Sequence, residues 1–275
     1  MWTREELKIR AKNVLRGCFW SAVVVALITG ILTGSFSSSR SNVQNVREIN
    51  YNEIQSGGES LVDSATQMIT GSGHQTENLL ARVAGMSFGL VFLGVGISVM
   101  LLGLAFGILV GSPIEVGASR FFMRTREEST GMGELFWAFR QGQFWHIVLI
   151  MLVMKVKIFL WGLLFVIPGI VKSYEYRMVP YILAENPNLQ MSEVFALSRE
   201  MTMNQKMNIF VLDLSFIPWQ LLSSVTLGLA GIFWVNPYTR ATEAELYAVL
   251  RQNVLDSGFA NGFTLPGFGS GTGTF

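Results

Sequence analysis

The stretch Leu160-Trp-Gly-Leu-Leu-Phe-Val-Ile-Pro-Gly-Ile-Val-Lys-Ser-Tyr-Glu-Tyr-Arg-Met-Val-Pro-Tyr-Ile-Leu-Ala-Glu185 constrains this chain most. An apolar run is broken by Pro168 and resumes as a helix-like segment carrying Lys172, Glu175 and Arg177. Charges so near a bilayer core are expensive, so they must face other helices, water or headgroups. The pattern points to a multi-span membrane protein with a polar region in or beneath its helix bundle. It names no reaction.

Composition agrees. Half of the residues are hydrophobic and 14% are charged, against roughly 25% charged in soluble domains. A net charge of +1 gives no sign of nucleic-acid binding. Cys18 is the single cysteine, which excludes an internal disulfide and a thiolate cluster. His74 and His146 stand far apart, and no metal-ligand set or cofactor motif accompanies them.

Along the chain, Leu7, Ala11, Val14 and Leu15 share a helix face beside Lys8, Lys12 and Arg16. This suits an amphipathic helix lying on an anionic membrane surface before the chain dives in. A basic N-terminal region followed by an apolar one also resembles a signal peptide, but no small-residue cleavage site follows. An uncleaved first span over about 18–36 is expected. Residues 37–80 are polar, poor in cations, and read as an outer loop. A second helix over about 84–123 carries Gly103, Gly107 and Gly111 at one-turn spacing, a packing stripe.

The middle forces a choice. A single span from Phe144 to Ile170 would leave Lys155 and Lys157 near mid-bilayer, at about 2.5–3.5 kcal/mol each. The alternative sets both lysines in an outer turn between helices at about 137–154 and 158–184, with Pro168-Gly169 kinking the second. Two more helices, about 207–223 and 226–251, divide around Ser223-Ser224. Of the 20 Lys and Arg residues, only Arg40, Arg47, Arg82, Lys155 and Lys157 then lie outside. The expectation is therefore an all-α membrane protein, a six-helix bundle of three hairpins with both termini cytoplasmic. Residues 1–251 form one membrane domain, and 252–275 a flexible Gly/Ser/Thr-rich tail.

Each hairpin starts with an amphipathic, cytoplasmic approach, and each return helix begins or kinks at a proline: Pro113, Pro168 or Pro237. Charges follow at comparable positions: Glu115 and Arg120; Lys172, Glu175 and Arg177; Arg240, Glu243 and Glu245. If the hairpins share an axis, these side chains line a polar centre for an anionic solute or lipid headgroup. Otherwise they emerge into interfacial water. Asp213 is placed to pair with a cation on another return helix. Gly85-Met-Ser-Phe-Gly89 has the serine-hydrolase spacing, but it lies in an apolar run without a histidine partner and reads as packing. No catalytic set emerges.

The opening stretch resembles a bacterial integral-membrane family, the domain of unknown function 975 family. The likeness continues through Asn186-Pro187-Asn188-Leu189 and Glu193-Val-Phe-Ala-Leu-Ser-Arg-Glu-Met201. Further landmarks are Arg4 to Lys12, Phe210 to Phe216 and Pro237 to Tyr247; Pro218 departs from the glycine of the family pattern. The resemblance implies a multi-pass protein of the bacterial plasma membrane and supplies no activity. The expected role is a non-enzymatic, envelope-associated scaffold or accessory protein that binds lipid or a membrane-protein partner. A small transporter with a polar cavity between hairpins is the alternative.

Overall fold

A computed structural model of the chain describes residues 2–33, 94–127, 130–140 and 142–268. The outer loop expected over 37–80 and the start of the second helix at 84 lie outside the described residues. Every regular element among the described residues is helical. Residues 94–106 are helical and belong to a unit separate from the one formed by residues 1–35 and 107–275. The rest of this section concerns the second of these units.

Helix α1 (Arg4–Leu32) opens on Thr3, whose hydroxyl accepts the Glu6 backbone N–H at 3.3 Å. This satisfies one of the otherwise orphaned first-turn donors. The amphipathic approach and the first span are thus one helix, bent at Cys18. Leu7, Ala11 and Leu15, expected to face lipid, are buried instead. They lie on one face at a spacing of four, and α1 packs along the last long helix.

A π-helical turn, Gly107–Gly111, leads into α2 (Ser112–Arg124). Gly111 closes on the end of α1, where a Cβ would meet the Leu32 carbonyl at 2.9 Å. That part of the glycine stripe packs within the chain. A short helical segment, Met132–Phe136 running into α3 (Trp137–Arg140), crosses α2 at Gly117.

Helix α4 (Phe144–Leu164) runs unbroken through Lys155 and Lys157. The turn lies at Phe165, in extended conformation, and α5 (Val166–Glu175) returns. This corrects the expected turn at the two lysines and the expected helices at 137–154 and 158–184. The insertion penalty applies to a lone lysine facing lipid, and neither is alone. Lys155 approaches Glu115 at 3.5 Å, and the Lys157 ammonium lies 3.9 Å from the Phe195 ring. Pro168 sits in the first turn of α5, where its missing N–H leaves no intrahelical bond unmade.

The true kink of the return path comes later, at Tyr176–Met178, before α6 (Val179–Glu185). Pro180 cannot donate to the Tyr176 carbonyl, which accepts from Val179 N–H instead at 3.2 Å. Helix α7 (Met191–Thr202) follows, its Glu193 carboxylate accepting the Gln190 N–H. Then come α8 (Lys206–Leu214) and α9 (Ile217–Val225), split by Pro218, and a π-helical turn, Gly231–Val235, before α10 (Asn236–Asp256). Pro113 and Pro237 each follow a π turn, whose wider loop accommodates a ring that cannot join the helical ladder.

The tail is ordered further than expected. Residues 257–268 fold back onto α6 and α10, burying Leu265 and Phe268. Arg251 donates to the Leu265 carbonyl at 2.7 Å, and Asn186 Nδ2 to that of Thr264 at 3.1 Å.

The arms α4 and α5 touch where Gly169 faces the Gly162 backbone: a Cβ on Gly169 would lie 2.6 Å from Gly162 Cα. A Cβ on Gly162 would meet open space. Gly169→Ala should therefore destabilise the purified protein by about 1–3 kcal/mol, the usual range for overpacking. Gly162→Ala should be near neutral, and thermal unfolding in detergent reads both. Equal effects would contradict the close approach.

Candidate functional site

The break between α5 and α6 releases Arg177 from a helical face and turns it inward. Its guanidinium forks onto Asp213 of α8, with Nη1 donating to Oδ2 at 2.5 Å and Nη2 to Oδ1 at 2.9 Å. Nη2 also donates to Glu243 Oε1 of α10 at 2.8 Å. Tyr174 donates to Asp213 at 2.9 Å, and Tyr181 to Glu243 at 3.5 Å. Arg240 lies 3.9 Å from Glu243. Three helical segments thus meet on one cation, and the planar guanidinium can serve two carboxylates at once where an ammonium would not.

Beside this group is a cavity of about 170 Å³, walled in part by Glu115, Ser119, Arg177, Arg240 and Glu243. Lys155 of α4 contacts Glu115 and donates to Ser112 Oγ at 3.0 Å. The centre therefore draws on α2, α4, the α5–α6 break, α8 and α10.

The other expected centre residues go elsewhere. Glu175 is buried and holds Lys172 at 2.8 Å and Lys206 at 3.0 Å, with Arg199 at 3.7 Å. Arg120 binds Glu134 at 2.9 Å and the Ala184 carbonyl at 2.6 Å while stacking 4.2 Å from the Trp137 ring. Glu245 is buried against Arg126 at 2.7 Å. These are separate clasps that tie neighbouring segments. Of the nine positions singled out from the sequence, Glu115, Arg177, Asp213, Arg240 and Glu243 come together, while Arg120, Lys172, Glu175 and Glu245 do not.

Sequence reasoning missed two features. The insertion cost points Lys155 to a turn, and nothing in its neighbourhood signals Glu115, 40 positions away. Glu185 ends the opening stretch buried, accepting from Arg251 Nε at 2.8 Å, Tyr247 OH at 2.6 Å and Gly267 N–H at 2.7 Å. The spacing of four between Tyr247 and Arg251 was the available clue, since it puts both on one helix face.

Chemically, the centre is made of paired acids and bases. Among the described residues no group of three or more His, Cys, Asp or Glu side chains is arranged to hold a metal. Among the described residues, four helical stretches are long and apolar enough to cross a bilayer: Arg4–Leu32, Gly94–Arg124, Phe144–Leu164 and Lys206–Val225, the last made of α8 and α9. They give an all-helical protein of membrane type. Residues 163–254 match the family model described as Protein of unknown function (DUF975). The resemblance seen in the motifs is thus shown from the turn of the α4–α5 hairpin to the end of α10. No curated protein and no solved structure matches the chain.

Arg177, Asp213 and Glu243 are partly buried, and leaving one such charge unpaired typically destabilises by about 1–3 kcal/mol. Arg177→Gln leaves Asp213 without its cation and Glu243 with only Arg240, at 3.9 Å, and should fall in that range. Glu243→Gln should cost less, because Arg177 keeps its fork on Asp213. Chemical unfolding in detergent measures the order, and a larger loss for Glu243→Gln would contradict the geometry.

Proposed function

We propose that the chain is a non-enzymatic protein of a bacterial plasma membrane, an envelope-associated scaffold or accessory protein that holds lipid or a membrane-protein partner. The observation that carries this reading is the mutual neutralisation of the central charges. Arg177 is saturated by Asp213 and Glu243, and the space left beside them is about 170 Å³. Solute and cofactor pockets commonly measure roughly 300–1,000 Å³.

The apolar surface, by contrast, is free. Leu163, Leu164, Phe165, Val166 and Ile167 at the α4–α5 turn are exposed, as are Val225 and Leu227 at the α9 turn. Such surfaces belong in lipid or against another membrane helix. The reading puts both termini and α7 on the cytoplasmic side.

The transporter alternative has one observation in its favour: Glu115, Arg177, Arg240 and Glu243 all reach the same cavity. Reconstitution separates the two. Liposomes holding the protein should show no uptake of small anions, whereas affinity purification should retain a defined lipid or membrane protein. Uptake abolished by Glu243→Gln would put the transporter first.

Topology is tested by cysteine labelling after Cys18→Ser. A probe at Asn188→Cys should react only from the cytoplasmic side, and one at Ser60→Cys from outside. External labelling at Asn188→Cys would overturn the arrangement.

A further inference from the structure

A concavity lies away from the charged centre, between the first turns of α1 and helix α8. It measures about 870 Å³, with Arg4, Lys8 and Lys12 on one wall and Asn208, Val211 and Ser215 on the other. Tyr238 of α10 lies at one side. Glu5 is its one acidic lining residue.

Three features make this groove unlike the clasps described above. First, its cations are not neutralised. Among the described residues, Arg4, Lys8 and Lys12 form no ion pair, whereas the neighbouring Arg10 is paired with Glu6. Lys8 is held in place by the Ser215 carbonyl at 3.3 Å and by the Phe216 ring at 4.5 Å. That carbonyl is available because the helix breaks ahead of Pro218. Second, Trp2 lines the groove, and its indole N–H is buried without an acceptor. Third, a second hollow of about 360 Å³ begins at Lys12 and is walled by Leu15, Arg16, Phe19 and Trp234. A cationic hollow and a largely apolar one therefore meet at Lys12, along a helix whose later residues are apolar.

We infer that this compound groove binds an anionic phospholipid, with the phosphate headgroup among Arg4, Lys8 and Lys12 and an acyl chain along Leu15, Phe19 and Trp234. The inference rests on the membrane reading above and names the lipid class and its place. A phosphate supplies the negative charge that Arg4, Lys8 and Lys12 lack among the described residues. The apolar hollow supplies the contact that separates a lipid from free phosphate.

The test uses the full chain in detergent micelles and measures binding by native mass spectrometry. The probes are phosphatidylglycerol, phosphatidylcholine and glycerol phosphate, which has no acyl chains. Lys12 is exposed, so Lys12→Gln should leave the fold intact. It should weaken phosphatidylglycerol binding about tenfold, in keeping with one charge-assisted hydrogen bond. Arg10→Gln removes the same charge from the same helix outside the groove and should change binding by less than about twofold. Phe19→Ala should weaken the lipid but not glycerol phosphate, which should itself bind about a hundredfold more weakly than the lipid.

Equal losses for Arg10→Gln and Lys12→Gln would overturn the site, because they indicate diffuse attraction. Glycerol phosphate binding as tightly as phosphatidylglycerol, or phosphatidylcholine matching phosphatidylglycerol, would do the same. Either failure would leave the scaffold reading intact, since anion uptake and partner capture test that reading separately.

Discussion

A guanidinium between carboxylates from two different helices has few ways to be satisfied, and the geometry around Arg177 uses most of them. Asp213 arrives from α8 and Glu243 from α10, while Arg177 comes from the break between α5 and α6. Each charge would carry a desolvation penalty of several kcal/mol alone. Together they fix the relative positions of the segments that bear them. The break is therefore as important as the ion pair: a straight helix through Tyr176–Met178 would carry Arg177 along a different face. Pro180, by withholding one N–H, makes the break.

The same logic governs the lysines of α4. Their presence in a long apolar helix looks prohibitive when each is assessed alone. Lys155 instead belongs to the polar centre through Glu115 and Ser112, and Lys157 lies against the Phe195 ring of α7. From Lys157 to the turn at Phe165 the chain rises through eight steps, about 12 Å of helix at roughly 1.5 Å per residue. That is less than half of a hydrocarbon core about 30 Å thick. The apolar end of this hairpin is thus short, and the lower half of α4 is core, with Ile147, Ile150 and Met151 fully buried.

Much of this was legible because it is local. Helix type, the amphipathic lead-ins and the prolines that open return helices follow from periodicity and backbone chemistry. The opposite charges on return helices announced internal pairing, and Asp213 was matched to a cation on another return helix without its partner being named. What stayed hidden depends on contacts between distant positions. The Phe165 turn rests on Gly169 closing against the Gly162 backbone, and the folded tail rests on Glu185 reaching Gly267. Neither leaves a periodic trace. Composition also misled at the tail, where glycine suggested freedom although Leu265 and Phe268 are buried anchors.

The central claim is that Arg177 and Asp213 act as one coupled unit joining the α5–α6 break to α8. A double-mutant cycle on Arg177→Gln and Asp213→Asn, read by unfolding in detergent, measures that coupling directly. Residues sharing one salt-bridge network show interaction energies of about 0.5–3 kcal/mol, and the bidentate geometry places this pair toward the upper end. A coupling near zero, with the two losses simply adding, would contradict the account.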